Sequence, residues 1–232
     1  MARSAWVVLC VLCLGAADAL AVVPQVGAVF QREFKGALGR LQEQERELYF
    51  NDPVYSSEVV HTGPNASTAL VFLDKTRIQV GANSDLVLDR YVYDPAAGTG
   101  TAAVSFSTGI FRFITGQMKN KDGYDLRTPS ATMVIRGTKL IIFVDDKNNT
   151  VVFFEQGDGT AAACRNGASA EVHAGQSALV PATCAGVTVV EGNQTPYDSA
   201  VVADLPLPAE LSVEPATSSD PPSRAGPSAS PF

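Results

Sequence analysis

The sequence predicts an all-β domain of many short strands, arranged as a β-solenoid or stacked sheets, with a β-sandwich as the alternative. Three observations carry this expectation. Short apolar or alternating runs recur from Val54 to Glu155 at a spacing of about 8–12 residues, which suits strands. Turn-forming clusters separate them: Asn51-Asp52-Pro53, Gly63-Pro64-Asn65, Gly81-Ala82-Asn83, Lys147-Asn148-Asn149 and Gly157-Asp158-Gly159. Single glycines stand where the runs would have to turn a corner.

The elements follow in order. Residues 1–21, MARSAWVVLCVLCLGAADALA, read as a secretory signal: Arg3 is the positive start, an apolar run reaches Gly15, and small residues offer cleavage after Ala19 or Ala21. The apolar run is short of the roughly 20 residues that span a bilayer. The stretch from Lys35 to Leu48 (KGALGRLQEQEREL) fits one helix, weakened by Gly36 and Gly39, or a long hairpin with a charged edge. Candidate strands are 54–60, 69–73, 77–80, 86–93, 103–106, 110–114, 124–127, 132–135, 139–144 and 151–155. Their phenylalanines, Phe72, Phe106, Phe111, Phe113, Phe143, Phe153 and Phe154, are expected in the core. From Pro206 onward Pro and Ser dominate, so 206–232 is expected to be a disordered tail that leaves 22–205 as the folded unit.

Cysteine usage follows from the signal. Cys10 and Cys13 leave with it, and the mature chain keeps Cys164 and Cys184 for an oxidising compartment. They flank a hairpin-like unit containing Gly167 and Gly175, and a disulfide between them would staple neighbouring strands for about 2–4 kcal/mol.

Charge and motifs narrow the function. The 232 residues carry a formal net charge of −7, which repels phosphate backbones and anionic lipid, so nucleic acid is not expected; with no apolar stretch long enough to span a bilayer, neither is stable membrane insertion. The chain lacks GxSxG, HExxH, GxGxxG and P-loop motifs. Its two histidines, His61 and His173, lie far apart and read as surface or strand-edge residues. Asp145-Asp146-Lys147-Asn148-Asn149 has Thr150 where a calcium loop needs Gly, and reads as a polar turn. Asn65, Asn148 and Asn193 stand in Asn-x-Ser/Thr triplets. No catalytic residue, metal or cofactor is expected.

What remains is a succession of segments. Phe72-Leu73-Asp74 is followed by Ser84-Asp85-Leu86 and by Gly109-Ile110-Phe111-Arg112-Phe113. Then come Thr128-Pro129-Ser130-Ala131, Ile135-Arg136-Gly137-Thr138 and Gly175-Gln176. This succession resembles the FecR family of periplasmic signalling domains, from about Val26 to about Val190. Two residues depart from its pattern, Asn51 and Lys75, where the family places Gly; both positions call for a turn. The resemblance singles out Phe72, Asp74, Thr128, Pro129, Ala131, Arg136, Gly137 and Thr138 as structural or binding residues. Arg136 is expected to pair with a carboxylate, Asp74 or Asp89, or else to anchor an anion.

In that family the domain is joined to a membrane helix and a cytoplasmic sigma-factor-binding segment. Here the signal is expected to place the domain alone in the periplasm or outside the cell. The resemblance implies a non-enzymatic binding or signalling module that contacts an envelope protein. The alternative is a structural protein associated with the cell wall or another envelope polymer. Protein docking predicts an exposed patch on one face. Polymer binding predicts a groove with exposed aromatics drawn from Tyr49, Tyr55, Tyr91, Tyr93 and Tyr124. An enzyme predicts a pocket where His61 or His173 meets a carboxylate.

Overall fold

Alternation of apolar and polar residues puts one face of each run against the core, and the ladders follow. The computed structural model describes residues 23–33, 36–120, 123–165 and 167–196. The signal segment 1–21 and the tail 206–232 lie outside the described residues. Among those described there is no helix long and apolar enough to cross a membrane.

The strands are β1 Gln25–Glu33, β2 Ala37–Leu41, β3 Gln44–Glu47, β4 Pro53–Tyr55, β5 Val59–Thr62, β6 Ser67–Phe72, β7 Arg77–Val80 and β8 Ser84–Asp94. They continue as β9 Thr99–Ile114, β10 Tyr124–Arg127, β11 Ala131–Val144, β12 Thr150–Ala163, β13 Ser169–Val172, β14 Gln176–Val180 and β15 Thr188–Glu191. All belong to one hydrogen-bonded sheet. The all-β class is as expected. The ladders come from hairpins and crossovers of bent strands, and β10 against β9 is the parallel pair among them. A solenoid of parallel rungs would show a succession of such pairs.

Two long bent strands organise the fold. The first half of β9 pairs with β10, with Leu126 beside Val104, while its second half pairs with β11, with Phe113 beside Leu140. The first half of β11 returns to β10, with Ile135 beside Tyr124, so the three strands close on one another. The bend lies where the β11–β12 register shifts between Arg136 and Lys139. There Gly137 has φ +62° and Gly157, facing it on β12, has φ +79°. A Cβ on Gly157 would stand 2.6 Å from the Gly137 carbonyl oxygen, so only glycine fits. The sequence reading placed a turn at Gly157-Asp158-Gly159; it is instead a bulge inside β12, because the paired strand continues past it.

Within the stretch expected as a helix or hairpin, Ala37–Leu41 and Gln44–Glu47 form the hairpin β2–β3, with Leu38 opposite Glu47. Predicted runs 103–106 and 110–114 merge into β9, and 132–135 and 139–144 merge into β11. Run 54–60 splits into β4 and β5 around a turn at Ser57, which has φ +65°. Asn51 (φ +67°) and Lys75 (φ +70°) take the left-handed backbone that their turns require. Inside, Phe106 packs on Phe111 at 4.8 Å between ring centroids, and Phe113 meets the edge of Tyr124 at 5.7 Å. Phe72 and Phe154 are also buried, whereas Phe143 and Phe153 are half-buried.

Candidate docking cleft and the buried Asp74 hub

The β6–β7 hairpin turn carries Asp74 inward, with no exposed surface. The Tyr124 hydroxyl donates to Oδ2 at 2.6 Å and the Tyr91 hydroxyl to Oδ1 at 3.0 Å. Thr76 gives its backbone N–H to Oδ1 and its hydroxyl to Oδ2, at 3.0 and 2.7 Å. The Gly116 N–H donates to both Thr76 Oγ1 and the Tyr124 oxygen at 3.0 Å. Gly116 is hemmed in: a Cβ there would lie 2.3 Å from the Asp74 carbonyl oxygen. Burial, and then the Asp74 carboxylate, push both phenols well above their ordinary range, so they stay protonated donors. The hub ties β6–β7, β8, the β9–β10 connection and β10 together with hydroxyls rather than with a cation. Asp74 therefore already has its partners without Arg136, whose side chain lies outside the described residues. Asp89 accepts from the Ser105 hydroxyl at 2.5 Å.

The Thr-Pro segment is corner chemistry. Between β10 and β11 the Thr128 N–H donates to the Ala131 carbonyl at 2.8 Å, and the Ala131 N–H donates to Thr128 Oγ1 at 2.8 Å. Pro129 sits at the exposed tip, where its missing N–H costs nothing. Thr150 Oγ1 lies 2.7 Å from the hydroxyls of both Thr128 and Ser130, and Ser130 also donates to the Val180 carbonyl at 3.2 Å. The Cys164 N–H donates to the Ser130 carbonyl at 2.7 Å. Ala131 packs with Ala163 and Val180 in a small apolar cluster. Cys164 and Cys184 are disulfide-bonded, with Cα atoms 5.7 Å apart. The bridge ties the β12–β13 turn to the loop after β14. Thr138 is buried just past the β11 bend, and its carbonyl accepts from the Thr115 N–H at 3.1 Å.

This corner forms one wall of an open cleft of about 570 Å³. Thr128, Pro129, Cys164 and Arg165 stand on one side, and Asp89, Ser105 and Ser107 on the other, with Arg127 and Thr132 between them. Arg127 forms an ion pair with Asp125 two residues away on the same strand. Arg165 is exposed. The cleft gathers hydroxyls and charges of both signs.

Elsewhere Glu58 is buried without exposed surface and accepts from Arg46 Nη2 and the Tyr55 N–H, both at 2.8 Å. Gly39 makes room for it, since a Cβ there would lie 2.2 Å from Glu58 Oε1. Burial raises the Glu58 carboxyl above its ordinary value, and Arg46 opposes this without cancelling it. A raised folded-state value means that the folded state binds its proton more tightly than the unfolded chain. Stability therefore increases as pH falls through the raised value towards the ordinary 4.5, and this increment is absent at higher pH. Glu58→Gln is expected to flatten that part of the stability–pH curve, read by urea melts from pH 7 down to about 4.5. Parallel curves for the two proteins would rule this out.

The other sequence candidates disperse. His61 Nδ1 lies 2.7 Å from Asp85 and His173 Nδ1 lies 2.9 Å from Asp158. Both pairs are exposed, and neither lines the cleft. Asp145 caps its own turn, accepting from the N–H groups of Lys147 and Asn149. Among the described residues no cluster of three or more His, Cys, Asp or Glu is arranged to hold a metal. Tyr91 and Tyr124 are core residues, Tyr55 and Tyr93 are half-buried, and Tyr49 is exposed beside Phe50. They do not line one groove.

Residues 58–158 match the FecR family, described as FecR protein. The match runs from the residue before β5 into β12. It contains Asp74, the Thr128-Pro129 corner and the Arg136-Gly137-Thr138 bend, and leaves β1–β4 and β13–β15 outside. Two crystal structures of a candidate anti-sigma factor from Parabacteroides distasonis ATCC 8503 are similar to the chain. They are 14% and 13% identical with TM-scores of 0.46 and 0.45, and each likeness covers 58% of this chain and 60% of the other. The likeness thus takes in less than two thirds of those proteins. No curated protein matches the chain. With the family's segments built into the Asp74 hub, the Thr-Pro corner and the Gly137 bend, residues 58–158 of this chain are a match to the FecR family.

Proposed function

We propose that this chain is a non-enzymatic signalling module of FecR type that works outside the cytoplasm and docks an envelope protein through the cleft beside the Thr-Pro corner. The observation that carries this reading is the cleft itself, an open, polar rim built onto the family's own motif. Small-molecule sites are usually enclosed and mostly apolar. An open rim of hydroxyls with charges of both signs suits a protein surface better. The signal-like residues 1–21 and the Cys164–Cys184 bridge support a periplasmic or secreted location, with 22–205 as the working domain. The FecR match supports a regulatory role. Polymer binding is less favoured, because Tyr91 and Tyr124, two of the aromatics it would use, lie in the core.

The test is site-specific photocrosslinking in the native envelope from Ser107 and Thr132. One discrete protein adduct is expected, falling at least about tenfold when Arg165→Glu reverses the charge on the rim. An adduct indifferent to Arg165→Glu places the contact elsewhere. Wall fragments in place of a protein return the domain to the structural reading.

A further inference from the structure

The end of β8 is an open sheet edge. On β8, β5 covers Ser84 to Val87 alone, and backbone hydrogen bonds from the Ser56–Glu58 turn end at Leu88. From Arg90 to Asp94 one side of β8 is paired with β9, and among the described residues no strand pairs with the other. Open edges invite another strand, and proteins usually blunt them. Here a register shift between Val87 and Arg90 flips the alternation. It turns Tyr91 into the core and Arg90, Val92 and Asp94 to solvent, with Val92 62% exposed.

We infer that this edge joins a second copy of the chain, β8 to β8, antiparallel about a two-fold axis at Val92. The sequence Arg90-Tyr91-Val92-Tyr93-Asp94 is self-complementary in that register alone. Val92 faces Val92 of the second copy. Arg90 of each copy lies opposite Asp94 of the other, so a single edge makes two ion pairs. Shifting the axis by one residue either way leaves both charges without opposite partners. Directly opposed residues in an antiparallel pair stand close enough for this. Neither charge is spent elsewhere. Arg90 makes no ion pair among the described residues. Asp94 is exposed and uses Oδ1 for the N–H groups of Ala96 and Ala97, at 2.9 and 3.2 Å, which leaves Oδ2 available. A two-fold contact of identical edges closes on itself, so it ends as a dimer and does not grow into a fibre. Asp89, at the start of this edge, also lines the cleft, so pairing sets the two clefts side by side. Two strands bury little area, and the association is therefore weak.

Sedimentation equilibrium of the full chain, up to about 0.5 mM, tests this. A monomer–dimer equilibrium is expected for the wild type. Arg90→Asp, which sets like charges opposite each other, is expected to weaken it at least about tenfold. Arg90→Asp combined with Asp94→Arg restores the opposition and is expected to restore the dimer. Thermal melts check that each variant is folded. Should the Asp94 change spoil the turn, Val92→Lys, which sets two ammonium groups together on the axis, is expected to give a folded monomer. A wild type that stays monomeric throughout, a dimer untouched by Arg90→Asp and Val92→Lys, or a folded double variant that stays monomeric would each overturn the proposal.

Discussion

Asp74→Ala is expected to destabilise the fold by about 3–5 kcal/mol, enough to leave a domain of ordinary stability largely unfolded at physiological temperature. The carboxylate accepts from Tyr91, Tyr124 and Thr76, and all of these groups are buried. Removing it leaves three hydroxyls and the Thr76 N–H facing a cavity that no water reaches cheaply. Asp74→Asn should cost less, since one amide oxygen still accepts and the hydroxyls can rotate to accept from the NH2 group. Tyr124→Phe should cost about 1–2 kcal/mol and should lose most of that effect in the Asp74→Ala background, because donor and acceptor belong to one network. Urea denaturation of the wild type and these four variants is the measurement. An Asp74→Ala protein within about 1 kcal/mol of wild type would show that the hub is ornamental.

Much of this was legible in the sequence because strand parity and turn chemistry are local. Arg77–Val80 and Tyr124–Arg127 have the predicted bounds, since each alternates cleanly and is closed by turn residues. The Gly137 bend and the Thr-Pro corner could be read for the same reason: a positive φ and a missing N–H are properties of single residues. Tyr124 was named among the candidate exposed aromatics, yet it shares its face with Leu126 and is buried, so parity would have placed it correctly had it been applied. Parity would have failed at Tyr91. The register shift after Val87 inverts the alternation, and nothing in the local pattern announces a bulge. The hub was hidden for a further reason. Asp74, Tyr91, Gly116 and Tyr124 meet only after the β6–β7 hairpin, β8, the end of β9 and β10 are all placed, so an arginine was the natural partner to expect for a lone acid. The cleft was hidden likewise, since its walls come from β8–β9, the β10–β11 corner and the disulfide-bridged turn.

Arg112→Ala is expected to cost about 3–5 kcal/mol, because it strands the Glu155 carboxylate in a poorly solvated place, and Glu155→Ala less, because Arg112 keeps a further interaction. Arg112 Nε donates to Glu155 Oε2 at 2.7 Å, and the side chains retain only 8% and 12% exposure. The pair bridges β9 and β12 over β11, where Arg112 lies beside Ile141 and Ile141 beside Phe153. Two strands that never hydrogen-bond to each other are thereby clamped across a third. The loss comes from stranding one ion, so it should not recur when both go. Arg112→Met with Glu155→Leu keeps the volume, removes both desolvation penalties, and is expected to recover most of the stability lost by either single change. The same urea measurements decide it. Single variants that each lose under about 1 kcal/mol would mean that solvent reaches the pair in solution. A double variant as unstable as the singles would mean that the guanidinium serves other acceptors on that face, and that the clamp is a network wider than two residues.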